Sequence, residues 1–306
     1  MIPQAQPSRE PSRAGRRRRS APARARRSVN WMLLRDRLDV LVATFDRQYL
    51  TPDPLERVLA LADPSDREIG GLFAAVLAYG NAKAIVSSLD DLFARMDGRP
   101  GDFARGFDAA SARRLAGFRH RWTTGEDVAA LCAMLRPALA AHGTLGALFA
   151  KGLRPGEPTV REALGRFVDA LLAFAPNLPR DAGVRALLSS PAAGSACKRM
   201  NLYLRWMARG GDGIDCGLWR AVPTSALVIP LDTHVARISR FLGLTRRRTQ
   251  DWKMAEEITA ALRRLDAADP VKYDFAICRL GILDHCPSRR NLHKCAACPL
   301  LELCTA

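Results

Sequence analysis

The chain of 306 residues is 48% hydrophobic and 25% charged, which is ordinary for a globular protein, and its apolar runs are too short or too interrupted to cross a membrane. Alanine, leucine and arginine are abundant while β-branched and aromatic residues are few, which favours an all-α fold. The net charge is +16, which predicts a polyanionic partner, usually nucleic acid, although the arginine bias of a GC-rich genome is an alternative explanation.

Residues 1–30 form an arginine-rich tail with nine arginines and one glutamate, so the rest of the chain carries the other half of the net charge, +8. The tail has no apolar core and is therefore not a secretory signal. We interpret it as a disordered phosphate-binding arm, or as an extended gene start with Met32 as the true initiator.

Apolar residues then recur at helical spacing through a body that spans residues 31–283. The pattern predicts helices over residues 33–50, 66–78, 82–96, 159–174, 196–209, 233–242, 251–265 and 271–283. Short helices are expected over 98–157, a loop-rich bridge over 177–191 and an irregular insertion over 210–230. No segment alternates between apolar and polar residues as a strand would, and a cysteine loop, residues 284–306, completes the chain.

Eight cysteines divide into two groups. Four are scattered singly through the body, mostly in helical segments, where free cysteines are commonly small buried hydrophobes: Cys132, Cys197, Cys216 and Cys278.

The other four follow a C-x8-C-x2-C-x5-C spacing: Cys286, Cys295, Cys298 and Cys304. Four thiolates complete the ligand shell of a [4Fe–4S] cluster or of zinc. Zinc ribbons usually present two CxxC pairs and this loop has one, so the cluster is favoured and zinc is the alternative. Without an export signal, a reduced cytoplasmic protein is expected.

The residues between the first two cysteines of the loop read PSRRNLHK. A metal that pins both ends of this segment would hold Arg289, Arg290 and Lys294 in a fixed array suited to phosphate recognition. The alternative is a solvated loop whose charges have no partner.

Three features of the last third form a pattern: IPLDTHVARISRFLGL at 229–244, DPVKYDFAICRLGILDHC at 269–286 and the four cysteines. They resemble endonuclease III and the other helix-hairpin-helix DNA glycosylases with a C-terminal [4Fe–4S] loop, although the first cysteine gap there is usually six residues. Through LAYGN at 77–81 and ACKRMNLYLRWM at 196–207, the chain from about residue 50 to 304 also resembles an uncharacterised bacterial family at the edge of that superfamily. The resemblance implies a two-lobed helical glycosylase-like fold. It also implies a monomer that acts on double-stranded, damaged or abasic DNA in base-excision repair, in the cytoplasm at the nucleoid.

The resemblance assigns roles to two residues. Asp232 of PLDTH matches the glycosylases' essential aspartate, which stabilises the cationic sugar formed as the base leaves; its position before a helix also predicts an N-cap. Lys198 of GSACKRMN matches the lysine with which bifunctional glycosylases attack the sugar C1′ and cleave at abasic sites; the alternative is a surface lysine at a helix start.

Two features depart from the superfamily. SSPAAGSAC at 189–197 has one glycine where the phosphate-gripping hairpin has two, and 34 residues separate Lys198 from Asp232. The glycosylases place these two residues much closer together, and the extra segment in this chain is expected to loop out or to cover the lesion pocket.

Further residues are candidates for DNA contact. Asn81 lies where the glycosylases fill the gap left by a flipped base, and Tyr79 would stack there; a helix–helix turn is the alternative. Arg246 and Arg247 belong to a basic group that would touch phosphates or form a solvated face.

Two other functions fit the same residues. A non-catalytic nucleic-acid-binding protein would keep the fold and the cluster, as the altered hairpin suggests. A zinc-stabilised helical scaffold that binds protein partners is the third possibility.

Overall fold

A computed structural model describes residues 29–179, 182–283, 285–289 and 291–305. The predictions made for residues 1–28 of the tail and for Arg290 therefore lie outside the described residues.

Helices dominate the described chain, so the predicted all-α class is confirmed. The helices are α1 (Trp31–Thr44), α2 (Pro54–Leu59), α3 (Pro64–Val76), α4 (Ala82–Arg95), α5 (Pro100–Arg105), α6 (Ala109–Arg114), α7 (Gly125–His142), α8 (Leu145–Lys151), α9 (Arg161–Ala173), α10 (Gly183–Leu187), α11 (Lys198–Ala208), α12 (Thr233–Phe241), α13 (Trp252–Arg263), α14 (Asp274–Ile282) and α15 (Leu292–Ala296). Two short strands, β1 (Arg119–His120) and β2 (Thr123–Thr124), pair in an antiparallel hairpin that the sequence pattern did not predict.

Helix boundaries differ from the prediction where polar side chains cap the chain. The helix predicted over 33–50 ends at Thr44, because Asp46 accepts a hydrogen bond from the Gln48 amide and begins a separate 3-10 turn. The segment 98–157 contains an 18-residue helix, α7, and not short helices alone. Thr124 and Asp127 form a capping box at its start, and this helix continues through Pro137. The last predicted helix also begins later, after a 3-10 turn at Pro270–Tyr273.

The insertion at 210–230 is irregular, as predicted, but it does not loop out. The carboxylate of Asp215 is fully buried between Arg205 of α11 and Arg209, the residue that follows this helix. The Trp219 ring packs against Phe149 and Tyr203 in the hydrophobic core. Its indole N–H donates to the buried Glu68 carboxylate over 2.7 Å. The insertion is therefore part of the packed body.

Helix α3 lies at the centre of one group of helices, where it packs against α2, α5 and α11. Its contact with α11 is close at Gly71, because a Cβ there would lie 2.7 Å from Met207 Cε. The helices α1, α12 and α14 form a second group, and the buried side chains of both groups make one continuous cluster.

Among the described residues, no single helix is long and apolar enough to span a membrane. The consecutive helices α7 and α8 reach that length and apolarity only together, and they are bent by 72°.

Candidate functional site

A cleft of about 600 Å³ lies between the α3–α4 turn and α11 on one side and α12 and α14 on the other. Four of the predicted site residues line it: Tyr79, Asn81, Lys198 and Asp232. These residues come from three distant segments of the chain, and the close contact of α3 with α11 brings two of those segments together. The volume is within the range of sites that hold small organic groups.

Asp232 is the N-cap of α12, as the sequence predicted. One carboxylate oxygen accepts a hydrogen bond from the Val235 amide over 2.7 Å, and the other accepts from the Cys278 thiol over 3.3 Å. The side chain is half-buried. These two bonds fix the carboxylate at the wall of the cleft.

Lys198 is the first residue of α11, and its ammonium group donates to the Ala78 carbonyl over 2.9 Å. The preceding residue, Cys197, has a φ of 46°, in the left-handed region that non-glycine residues rarely adopt. This sharp turn directs the chain from the 189–197 segment into α11. The lysine therefore bridges the start of α11 and the end of α3 at the cleft.

Cys278, expected from the sequence to be a small buried hydrophobe, lines the cleft and is bonded to Asp232. Burial raises the pKa of this thiol well above its ordinary value. The carboxylates of Asp232 and Asp274 raise the pKa further, while the charge of Lys198 opposes them. The group is therefore a thiol at neutral pH, able to donate its proton to Asp232.

A buried ion network adjoins the cleft, which two of its members, Arg205 and Asp274, line. Arg205 bonds both Asp274 and Asp215, and Arg209 bonds Asp215 over 2.5 Å and Asp269 over 2.9 Å. Burial raises the pKa of Asp274 to about 6, with the Arg205 charge opposing the rise. Because every partner is buried or half-buried, the network holds α11, α14 and the insertion in a fixed relation.

The two residues of the α3–α4 turn are engaged in the fold. Asn81 caps α4 by accepting from the Lys83 and Ala84 amides. The hydroxyl of Tyr79 donates to the His120 carbonyl over 2.9 Å. The ring of Tyr79 stacks on Trp122, an exposed residue that the sequence analysis missed although it lies within the basic string RHRW.

The segment 189–197, expected to be an altered phosphate-gripping hairpin, packs beside the loop that follows α12. The Gly194 carbonyl accepts from the Trp252 amide over 3.1 Å, and Ser195 pairs with Asp251. Asp251 also binds Arg247 over 2.5 Å, while Arg246 is exposed. The predicted basic group therefore lies next to the hairpin segment.

The four cysteines of the C-terminal loop line one small cavity of about 30 Å³, closed on one side by Phe241. Hydrogen bonds dock this loop on the body: the Arg237 guanidinium donates to the Cys286 carbonyl over 2.7 Å, and the Thr305 amide donates to the Phe241 carbonyl over 2.8 Å. Within the described ranges, no group of three or more His, Cys, Asp or Glu side chains is placed to hold a metal ion. Arg289 and Lys294 are exposed on the same loop.

Comparisons with known proteins give one match. No curated protein and no solved structure is significantly similar to the chain. The profile of a family described as "Protein of unknown function (DUF2400)" matches residues 53–283, a region that contains the whole cleft except for Pro52 and ends before the first loop cysteine. Since the match covers more than half of the sequence, the chain belongs to the DUF2400 family.

Proposed function

We propose that this protein is a DNA glycosylase of the base-excision-repair kind with abasic-site lyase activity, built on a helix-hairpin-helix glycosylase-like fold. The observation that carries the proposal is that Lys198 and Asp232, 34 residues apart in the sequence, line one cleft. A nucleophile and a carboxylate in one cleft suit the breakage of a glycosidic bond.

In the proposed reaction, Lys198 acts at the sugar C1′ and Asp232 acts on the charge that develops on the sugar. The Lys198 ammonium first gives up a proton to solvent; the neutral amine then attacks the sugar C1′, and the glycosidic bond breaks with its electron pair leaving on the base, which takes up a proton from solvent. Loss of a second proton from the nitrogen and opening of the C1′–O4′ bond, whose oxygen takes up a proton, give the Schiff base. The Asp232 carboxylate stabilises the positive charge that develops on the sugar. Because Asp232 is held by the Val235 amide and the Cys278 thiol, its position needs little reorganisation when the charge forms.

Lys198 must leave the Ala78 carbonyl before it can attack. The hydrogen bond is 2.9 Å long, and a bond of this kind contributes roughly 1–3 kcal/mol. Groups of a substrate in the cleft would bind the Lys198 ammonium in place of the Ala78 carbonyl and so offset the loss of this hydrogen bond. The Ala78 carbonyl instead keeps the lysine directed into the cleft when no substrate is bound.

We propose a [4Fe–4S] cluster in the cysteine loop from the spacing of its four thiols, although among the described residues these thiols do not form an assembled metal site. Cys286, Cys295, Cys298 and Cys304 line a common cavity and would hold the group as thiolates. When bound, the group would close the loop and fix Arg289 and Lys294 for contact with phosphates. Zinc remains the alternative occupant.

A second candidate function is a non-catalytic nucleic-acid-binding protein with the same fold and cluster. Two observations favour it: the Lys198 ammonium is already bonded to a backbone carbonyl, and the 189–197 segment contains Gly194 as its only glycine. This protein would bind DNA or RNA in a salt-dependent way without converting it.

Trapping with borohydride separates these functions. The full-length protein, purified without oxygen, is incubated with DNA that contains one abasic site, and borohydride then reduces any Schiff base to a stable covalent adduct. We expect an adduct with the wild-type protein and none with Lys198→Ala. Lys151→Ala, which removes an exposed lysine from the end of α8, is the matched control and keeps the adduct.

Glycosidic cleavage is measured in parallel on duplexes with common oxidised and alkylated bases. Neither adduct nor base release with any substrate would refute the proposed enzyme. If Lys198→Ala and Asp232→Asn then bind DNA as tightly as the wild-type protein, the non-catalytic function is supported.

A further inference from the structure

The hairpin formed by β1 and β2 presents an exposed aromatic side chain beside the cleft. The strands pair so that Arg121 and Trp122 are the two residues of the turn. The Trp122 residue is 44% exposed, whereas Trp206, Trp219 and Trp252 are buried. A large aromatic ring left in solvent at a turn is unusual for a residue type that normally buries most of its surface.

The ring of Trp122 is held in place by Tyr79. The two rings are stacked, with centroids 4.9 Å apart and an angle of 18° between their planes. The Tyr79 hydroxyl bonds to the hairpin itself, at the His120 carbonyl and the Thr123 hydroxyl, and the His120 ring contacts the Tyr79 ring edge-on at 4.8 Å. Contacts therefore surround Tyr79, and Trp122 is the ring of the pair that keeps exposed surface, 44% of it.

Arg199 fixes the pair from the side of α11. Its guanidinium lies 5.3 Å from the Tyr79 centroid and 5.9 Å from the Trp122 centroid, within cation–π distance of both rings. It also donates to the carbonyls of Val76 and Ala186. The arginine is thus part of the framework, and Trp122 is ordered before any ligand arrives.

A second recess, of about 430 Å³ and separate from the main cleft, opens between this hairpin and the segment 189–199. Trp122 lines this recess and not the main cleft. Tyr79 and Lys198 line both and so form part of a shared wall. A strand with one nucleotide in the main cleft would place its neighbour at the second recess.

The surroundings of Trp122 are basic. Arg119 and Arg121 are exposed on the same hairpin, and the Arg121 side chain lies over Gly80, where a Cβ would be 2.9 Å from its guanidinium. Gly80 has a φ of +102°, so the α3–α4 turn leaves room for this arginine. An aromatic ring between arginines combines a stacking surface with contacts for a phosphate backbone.

We propose that Trp122 is the stacking site for an unpaired nucleobase next to the nucleotide in the cleft. A base inside a duplex has both faces covered by its neighbours, so only an unstacked base can lie on the Trp122 ring. The protein therefore prefers nucleic acid with at least two adjacent unpaired nucleotides, as in single strands or bubbles, over intact duplex. This inference depends on the proposed function for its partner, nucleic acid, but not for the chemistry of Lys198.

The test compares undamaged oligonucleotides, so it does not depend on catalysis. A fluorescein-labelled single strand and the same strand annealed to its complement are titrated by anisotropy with the wild-type protein, Trp122→Ala and Trp122→Phe. We expect the wild-type protein to bind the single strand more tightly than the duplex. Trp122→Ala should weaken single-strand binding by about 10-fold, and Trp122→Phe by less than about 3-fold, because phenylalanine still stacks. Met32→Ala removes another exposed apolar side chain, on α1, and should bind as the wild-type protein does.

Single-strand binding unchanged in Trp122→Ala would overturn the inference, as would an equal loss for single strand and duplex. Protein-partner docking at Trp122 would give the first of these results. If no borohydride adduct forms but Trp122→Ala loses single-strand affinity, the inference stands and the proposed enzyme fails. If the adduct forms and Trp122→Ala binds the single strand as the wild-type protein does, the proposed enzyme stands and the inference about Trp122 fails.

Discussion

Asp232 combines two roles that can be separated by substitution. Its carboxylate caps α12 through the Val235 amide, and its charge faces the cleft where a cationic sugar would form. An asparagine side chain keeps the capping oxygen and removes the charge, whereas alanine removes both.

We expect Asp232→Asn to keep the stability of the wild-type protein within a few tenths of a kcal/mol, and Asp232→Ala to lower it by about 1 kcal/mol. Both variants should lose base release by roughly 100-fold or more, because the transition-state charge is no longer stabilised. Urea unfolding and single-turnover cleavage measure the two effects. Full activity in Asp232→Asn would show that the residue is only a cap.

At the scale of elements, the buried ion network joins α11, α14 and the insertion. Asp274 contributes to stability in a pH-dependent way, because burial raises its pKa from 3.8 to about 6 in the folded protein. A carboxyl group with a raised pKa binds its proton more tightly in the folded state than in the unfolded state. Its stabilising contribution is therefore complete below pH 3.8 and is lost as the pH rises through about 6.

Asp274→Asn is expected to remove this dependence. The free energy of unfolding of the wild-type protein relative to the variant should fall by up to about 3 kcal/mol between pH 4 and pH 7. Asp251→Asn is the contrasting control, because the hydrogen bond from Arg247 lowers the pKa of Asp251, and the wild-type advantage should shrink as the pH falls below about 4. A difference for Asp274→Asn that stays constant with pH would contradict this account.

The cysteine loop is the second element whose role can be tested. It docks on α12 and α14 through backbone hydrogen bonds and one from the Arg237 guanidinium, and α12 carries Asp232 at its other end, roughly 13 Å away along the helix axis. A cluster that orders the loop would therefore stabilise the same helix that positions the carboxylate.

Anaerobic purification should give a brown protein with equal amounts of iron and acid-labile sulfide. Cys295→Ser should lose both and melt at a lower temperature, since the loop loses a ligand. Cys216→Ser, which changes a cysteine outside the loop, should keep both. A colourless wild-type protein that contains a stoichiometric amount of zinc would show that zinc, and not a [4Fe–4S] cluster, occupies the loop.

At the scale of the whole molecule, the positive charge is spread over the body as well as the tail, which favours binding through several phosphate contacts. Arg246 lies beside the hairpin segment and Arg289 lies on the cysteine loop, and both are exposed. Each phosphate contact changes the slope of log affinity against log salt concentration by about 0.9.

The double variant Arg246→Gln with Arg289→Gln should therefore lower this slope by roughly 2 on duplex DNA. Arg154→Gln, an exposed arginine between α8 and α9, should leave it unchanged. Binding isotherms at a series of salt concentrations give the slopes. A slope that falls equally in the control would indicate a general effect of net charge.

The sequence predicted those parts of the molecule that local patterns determine. The helices α4 and α12 and the cap formed by Asp232 follow from periodicity and capping residues. The hairpin that carries Trp122 did not follow, because its strands are two residues long and its partner, Tyr79, is more than forty residues away.

Local sequence patterns also could not predict that the insertion at 210–230 is buried. Asp215 reads as an ordinary loop aspartate until the fold places Arg205 and Arg209 around it. The resemblance placed Lys198 and Asp232 together, and the cleft agrees with that placement. The role of Cys278 depended on the packing of α14 against α12, which the sequence did not reveal.

The central claim, that the Lys198 amine is the nucleophile of the cleft, is tested most directly by locating the covalent bond. The adduct formed with abasic DNA under borohydride is digested, and the modified peptide is identified by mass spectrometry. We predict that the residual sugar is attached to Lys198. Attachment to another lysine or to the N-terminal amine, or no adduct at all, would contradict the account.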